Sequence, residues 1–339
     1  MKRKAMLIGP RINSNGPIGG QNVKFETLVK GFLEYDEFIW NICDTSQNIT
    51  EVIKKFIGGI NSSVCIFCVA SRGLKIFLPL LYIWKKITHK QVFHYVVGGT
   101  LDEIAKKNTR YIKYLKEMTC NWVETDSLKL RLEELGIENC EVIPNFKKYD
   151  MRIEKYKQGD NICFCYIGRV IKEKGVSKAI EAVEKYNNIY EKKIYFNIWG
   201  PISEGYKQEF LELTEGKEFI KYQGVLRPEK VIEEISDCYA MLFPTYWHGE
   251  GFPGVCVDAL FAGIPVIASD WNLNKEVIQD GLSGIVYPNN NVNTLYEAIC
   301  WSVEHKEAMD KMRKYCQENS HNYSSDKWIP YLYEKIKTF

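Results

Sequence analysis

Residues 161–183 read NICFCYIGRVIKEKGVSKAIEAV. An apolar run ends at Gly168–Arg169, a short loop carries Lys174–Gly175, and a helical pattern follows. This is one strand–loop–helix unit, and the chain repeats it in both directions. Downstream, KIYFNIWG (193–200), FIKYQGV (219–225), CYAMLFPT (238–245), PVIASD (265–270) and GIVYP (284–288) read as strands separated by helix-length segments. Upstream, AMLIG (5–9), FIWNICD (38–44), SSVCIFCVA (62–70), QVFHYVV (91–97), NWVET (121–125) and CEVIPN (140–145) do the same. Patterns such as QNVKFETLVKGFLEY and LDEIAKKNTRYIKYLKEM, with apolar residues three and four apart, predict the intervening helices. Continuous apolar strands alternating with helices predict parallel sheets covered on both faces.

The alternation breaks once, in the polar stretch KKYDMRIEKYKQGDN (147–161), which reads as a linker. The expected organisation is therefore two α/β domains, residues 1–152 and 153–319, facing across a cleft. The final helical pattern, SSDKWIPYLYEKIKTF, predicts that the C-terminal helix of 320–339 packs back on the first domain. The length agrees, since 339 residues at about 150 per domain give two cores.

With 45% hydrophobic and 26% charged residues, the chain is neither disordered nor fibrous. Its formal net charge of +2 argues against a general nucleic-acid binder. That total hides a split. Residues 1–150 carry 22 Lys/Arg against 16 Asp/Glu, and the remainder 23 against 27. Between Glu51 and Asp102 there is no acidic residue, but there are seven basic ones: Lys54, Lys55, Arg72, Lys75, Lys85, Lys86 and Lys90. An anionic partner surface is expected for region 52–101.

Eleven cysteines at irregular positions, many inside apolar runs, predict free thiols packed as small hydrophobes in a reduced compartment. No second pair stands at ligand spacing to make Cys65 and Cys68 a metal site. The apolar stretch of MKRKAMLIGPRIN is too short for a signal peptide. IFLPLLYIW (76–84) falls short of the ~20 residues a bilayer span needs. A cytoplasmic protein is expected, at most peripheral on the inner face of the plasma membrane.

Three strand-to-helix segments carry chemistry. PTYWHGEGFPGVCVDALFAGIPVIASD (244–270) runs from a strand end through a glycine-punctuated loop to a helix bounded by Pro253 and Gly263. Open α/β sheets bind ligands at such carboxyl edges, and the free N–H groups of a helix start favour phosphate. Glu250 before those donors and Asp258 one turn inside suit sugar hydroxyls better than phosphate. In CYIGRVIKEKGVSKAIEAV (165–183), Arg169 and Lys174 are placed to neutralise a diphosphate. In GPRINSNGPIGGQN (9–22), Gly19 and Gly20 precede a helix without completing a dinucleotide fingerprint. They fit either close approach of a phosphate or a plain tight turn.

Together these residues resemble family 4 of the retaining glycosyltransferases. The carriers are Glu250 and Asp258 with seven residues between them, Arg169 and Lys174 after the first strand of the second domain, and Gly19–Gly20 after strand one. The resemblance spans nearly the whole chain and is strongest over 165–290, including DWNLNKEVIQDGLSGIVYP. It implies the GT-B fold, two Rossmann-like domains facing across a cleft, and no cofactor or metal requirement. It implies that Glu250 contacts the donor sugar near the reacting carbon and that Asp258 holds the ribose hydroxyls. Arg169 and Lys174 would bind the donor diphosphate, and Phe252, Gly254, Val255, Gly19 and Gly20 would complete the donor site. Asp258 is one methylene shorter than the family's usual Glu, and Pro253 lacks the N–H of a frequent Gly. Both departures look like those of polysaccharide-building members. His94, at the end of a first-domain strand, is a candidate acceptor or sugar contact.

The implied activity is transfer of a hexosyl or N-acetylhexosaminyl group from a nucleotide diphosphate sugar, with UDP the expected carrier. Since the first domain handles the acceptor in this family, RGLKIFLPLLYIWKK and the acid-free window suggest a lipid-linked saccharide at an anionic membrane surface. The competing expectations are a GT-B nucleotide-sugar epimerase and a catalytically silent partner of another transferase.

Overall fold

The computed structural model describes residues 2–12, 19–149, 162–288 and 291–338. The chain divides into two compact units, Met1–Lys148 with Tyr323–Phe339, and Tyr149–Asn322. Most of the predicted linker, and the boundary at 152/153, lie outside the described residues.

The first unit runs β1 (Arg3–Gly9), α1 (Gly20–Leu33), β2 (Phe38–Asp44), α2 (Ile49–Gly58), β3 (Val64–Phe67), α3 (Ser71–Thr88), β4 (Gln91–Tyr95), α4 (Leu101–Lys107), α5 (Arg110–Glu117), β5 (Cys120–Val123), α6 (Asp126–Glu133) and β6 (Cys140–Val142). The six strands form one sheet in the order β2-β1-β3-β4-β5-β6. Every pairing is parallel. Residues alternate between faces along a strand. Met6 and Ile8 of β1 therefore enter one core with Phe77, Leu81 and Leu115, while Ala5 and Leu7 enter another with Phe25, Leu28 and Phe32. With a core on each side, the central strands β1 and β3 are buried on both faces from Ala5 and from Val64 onward, which is why they read as unbroken apolar runs.

The pattern predicted as one helix over LDEIAKKNTRYIKYLKEM is two, α4 and α5. Asn108 takes extended backbone (φ −137°, ψ 92°), and its Oδ1 accepts the N–H of Arg110 at 3.3 Å. A short amide side chain competing for backbone donors breaks the helix there.

The second unit runs β7 (Ile162–Ile167), α7 (Val176–Ile189), β8 (Ile194–Trp199), α8 (Lys207–Thr214), β9 (Ile220–Tyr222), α9 (Val231–Ile235), β10 (Ala240–Phe243), α10 (Gly254–Ala262), β11 (Val266–Ser269), α11 (Asn274–Val277), β12 (Gly284–Tyr287), α12 (Val292–Glu304) and α13 (Lys306–Asn319). Its parallel sheet has the order β12-β11-β10-β7-β8-β9. Phe164, Tyr166, Phe196 and Ile198 pack under Ile180 and Val183 of α7 and Leu295 and Ile299 of α12. The buried guanidinium of Arg313 on α13 donates to the carbonyls of Tyr239 (2.6 Å), Cys238 and Gly263 (both 3.4 Å). It thereby ties the start of β10 to the end of α10.

The last helix, α14 (Ser325–Lys337), belongs to the first unit. The Ser324 side chain caps it by accepting the N–H of Asp326 at 3.1 Å. Tyr333 stacks on Tyr35 with ring centroids 3.8 Å apart, and Ile329 fills the notch above Gly31 of α1.

All eleven cysteines are free, seven of them buried, as the sequence predicts. Among the described residues no helix is long and apolar enough to cross a membrane.

Candidate functional site

The candidate site is in the second unit. From β7 the chain winds outward through β8 and β9, then crosses back to β10 on the other side of β7. The topological switch point therefore lies between the carboxyl ends of β7 and β10, where doubly wound sheets open a ligand crevice. The loop after β7 carries Arg169 and Lys174; the loop after β10 carries Glu250.

The two loops are held together at four places. Gly175 begins α7 at φ 69°, and a Cβ there would lie 2.1 Å from the carbonyl oxygen of Pro244. Only glycine lets the β7–α7 turn come this close to the end of β10. The N–H of Tyr246 donates to the Glu173 carbonyl at 2.8 Å. Arg169 lays its guanidinium over the Trp247 ring, 5.2 Å from the centroid. Lys174 makes a direct ion pair with Glu250, the two side chains being 12% and 10% exposed. The segment before Gly175, read from sequence as a loop, is a 3₁₀ turn over Lys172–Lys174.

Residues that the sequence reading did not single out position Glu250. Thr245 donates its hydroxyl to Glu250 Oε2 at 3.0 Å, and its own carbonyl accepts from Ser269 at 2.6 Å. Asn272 sits in the left-handed region (φ 47°), which Asn tolerates. From there its amide donates to the backbone carbonyls of Glu250 (2.6 Å) and His248 (3.2 Å). Trp271 Nε1 reaches the Trp247 carbonyl at 3.0 Å. The loop is thus clamped from the end of β11. The only sequence signals are a Thr closing a strand and an Asn between large residues, both too common to select.

Behind the cations, the buried Tyr166 hydroxyl donates to the Arg169 carbonyl at 2.8 Å. Burial raises this phenol well above its usual pKa, with Glu250 adding to the shift, so it remains a donor. α10 opens with Pro253 at its cap (φ −66°) and ends at Gly263 in the left-handed conformation, as the sequence predicts. Gly254 and Val255 are half-buried at its first two positions, where backbone N–H groups have no intrahelical acceptor. Phe252 is buried, and Asp258 is 4% exposed and engaged within the protein.

In the first unit, Gly19 caps α1 with ordinary backbone (φ −114°), and its N–H meets Asn22 Oδ1 at 3.4 Å. Among the described residues, a Cβ on Gly20 would meet nothing within 4 Å. Neither glycine is demanded by backbone geometry or by packing among the described residues. His94 lies near the carboxyl end of β4, as the sequence predicts. It is 1% exposed, stacked on Phe67 at 4.3 Å, with Nδ1 3.3 Å from Asn121 Oδ1. Burial depresses its pKa to about 3, so the ring is neutral. It packs within the sheet layer beside Phe67 and Asn121. Among the described residues no group of His, Cys, Asp and Glu is arranged to hold a metal ion.

Two parallel doubly wound domains, the second with cations and a carboxylate at its switch point, define the GT-B class of glycosyltransferase. The chain belongs to the family described as "Glycosyl transferases group 1", which it matches over residues 147–321, just over half its length. It is 25% identical over 288 residues to the uncharacterized glycosyltransferase MJ1069 of Methanocaldococcus jannaschii, covering 78% of this chain and 70% of that one. It is 23% identical over 239 residues to the capsular polysaccharide biosynthesis glycosyltransferase CapM of Staphylococcus aureus, covering 63% and 61%. In fold it is similar to Anabaena HepE, solved in complex with UDP and glucose. The TM-score is 0.75 at 12% identity, over 99% of this chain and 100% of that one.

Proposed function

We propose that the protein is a retaining glycosyltransferase of the family 4 type. It would transfer a hexosyl or N-acetylhexosaminyl group from a UDP sugar to a hydroxyl of a lipid-linked oligosaccharide, in capsule, exopolysaccharide or O-antigen assembly at the inner face of the membrane. The observation that carries this reading is the Lys174–Glu250 pair at the switch point, beside Arg169 and the start of α10. The UDP in HepE supports the choice of carrier, and the capsular role of CapM supports the class of product.

In this reading Arg169, Lys174 and the amides of Gly254 and Val255 meet the charge that develops on the leaving diphosphate. An ammonium group has three donors, so Lys174 holds Glu250 and a phosphate oxygen at once. Glu250 orients the sugar and stabilises positive charge on its ring. Asp258 takes the ribose hydroxyls, and Phe252 walls the donor. Gly19 and Gly20, without side chains at the start of α1, let a substrate group approach the backbone closely. Retention follows from attack on the face the diphosphate leaves. The bond from the anomeric carbon to the phosphate oxygen breaks with its electron pair going to that oxygen. The acceptor oxygen bonds to the same carbon, and its proton passes to the departing phosphate. These cations and amides supply the charge stabilisation without a metal ion, so turnover survives chelation by EDTA.

A panel of nucleotide sugars, incubated with and without lipid-linked acceptor, tests the reading. Product that requires acceptor supports it. Altered donor in the absence of acceptor indicates an epimerase or hydrolase, and binding without any product indicates a silent partner. Either of these results overturns the proposal.

A further inference from the structure

Arg169 and Lys174 leave the same loop of the second unit, but different groups hold them. Lys174 is ion-paired with Glu250. Arg169 is exposed, and among the described residues its guanidinium makes no hydrogen bond and no ion pair. It lies instead over the indole of Trp247, with Cζ 5.2 Å from the ring centroid. Trp247 belongs to the other loop, the one after β10 that carries Glu250.

Trp247 is itself fixed at both ends of its peptide unit. Its N–H donates to Thr245 Oγ1 at 3.2 Å. Its carbonyl accepts from Trp271 Nε1 at 3.0 Å and from the N–H of Glu250 at 3.2 Å. The indole also lies against its own chain, since a Cβ on Gly249 would come within 2.8 Å of Trp247 Nε1. The Thr245 hydroxyl that receives the Trp247 N–H is the one that donates to Glu250 Oε2. One turn, from Thr245 to Glu250, therefore sets the carboxylate and the ring together.

The chemistry of the contact says what the ring is for. An exposed arginine loses side-chain freedom when it grips a ligand, and a partner that holds it beforehand removes part of that loss. A carboxylate would do so only by occupying N–H donors and cancelling the charge. An aromatic face attracts the cation through its quadrupole, carries no net charge and takes none of the five donors. We propose that Trp247 is the positioning residue of Arg169, holding the guanidinium at the switch point with its charge and all five donors left for the diphosphate of the donor. The inference rests on the reading of Arg169 as a diphosphate cation and adds the residue that presents it. Lys174 is then the cation shared with the carboxylate, and Arg169 the cation kept whole.

The test is calorimetric titration of the full chain with UDP and, separately, with uridine, which lacks the phosphates. Arg169→Gln is expected to weaken UDP about tenfold or more and to leave uridine unchanged. Trp247→Leu is expected to weaken UDP about two- to fivefold, the worth of one exposed cation–π contact, again with uridine unchanged. Trp247→Phe keeps a ring under the guanidinium and should recover most of that loss. In the Arg169→Gln background, Trp247→Leu should have no further effect, because both changes act on one interaction. A merely structural tryptophan would lower UDP and uridine binding together, and by the same factor in both backgrounds. Either of those results overturns the proposal, as does a Phe variant that binds UDP no better than the Leu variant. If Arg169→Gln weakens UDP and Trp247→Leu does not, this inference alone falls. If Arg169→Gln binds UDP like the wild type, the reading of Arg169 as a diphosphate cation falls with it.

Discussion

Replacing Glu250 by Gln separates the proposed roles of the site. The substitution keeps the size of the side chain and an oxygen for the Thr245 hydroxyl, but it removes the charge that Lys174 faces. The two side chains are 10% and 12% exposed, so the ammonium loses a counter-ion in a place that water reaches poorly. Removing one partner of a buried pair costs about 3–5 kcal/mol, and residual exposure puts this pair at the low end. For a domain of this size each kcal/mol lowers the melting temperature by about 2–4 °C, so a drop of roughly 6–12 °C is expected in the transition of the second unit. UDP binding moves the other way, because one negative charge near the diphosphate is gone. Affinity by calorimetry should be equal to the wild type or tighter. Turnover with donor and acceptor should fall by about 10²–10³, the usual loss for a group acting on transition-state charge. Turnover within tenfold of wild type, or loss of UDP binding, would refute the assignment of Glu250 to the sugar.

Gly175→Ala forces a Cβ to 2.1 Å from the Pro244 carbonyl at a φ of 69°, so the loop bearing Lys174 must shift. Urea denaturation should show a loss of more than about 2 kcal/mol, with weaker UDP binding. Lys174→Arg keeps the charge but commits a planar fork to Glu250; kcat should fall more than UDP affinity, as read by steady-state kinetics beside calorimetry. Arg313→Met strips the carbonyls of Tyr239, Cys238 and Gly263 of their donor, and denaturant midpoints should report about 3 kcal/mol lost. His94 has a folded pKa of about 3 against an ordinary 6.5, so the unfolded chain binds the extra proton between these values. Its contribution is complete above about pH 6.5 and is lost as pH falls toward 3, at up to about 1.4 kcal/mol per unit. In His94→Gln, melting curves across that window should be correspondingly flatter.

The twelve strands were legible because both faces of each sheet are covered. Ile8 and Leu7 face different cores, so no polar residue interrupts the run and each strand stands out between helical patterns. α10 was legible at both ends, since Pro253 and Gly263 fix its backbone locally. Asn108 was not, because the break it makes depends on one side-chain hydrogen bond inside an otherwise continuous helical pattern. The proposed site divides in the same way. Arg169, Lys174 and Glu250 are placed by local strand–loop–helix grammar, and the switch point brings their loops together. Thr245 and Asn272 act on Glu250 through long-range geometry: Asn272 is 22 residues further along the chain and meets it only when β11 lies beside β10. His94 shows the converse case. A histidine near a strand's carboxyl end looks available in sequence, yet the register that pairs it with Asn121 on β5 closes it inside the layer.

The charge pattern of the whole chain is a poor guide to what it binds, and the proposed site shows why. The second unit is the more acidic half, yet it holds the cations proposed to meet a diphosphate. What matters there is a local sum of two cations and one carboxylate, with Lys174 and Glu250 shielded from water. The pairing also gives a physical reason for lysine at position 174. A guanidinium would satisfy the carboxylate bidentately and be held in its plane. An ammonium keeps donors in other directions and can be shared between Glu250 and an incoming phosphate without a change of rotamer. In the first unit the same arithmetic runs at a larger scale. The window from 52 to 101 has no acid in its own sequence, yet Glu51 just before it pairs with Lys54 at 3.9 Å and Glu117 beyond it pairs with Lys86 at 2.8 Å. One cation held between a fixed carboxylate and a passing diphosphate suits turnover.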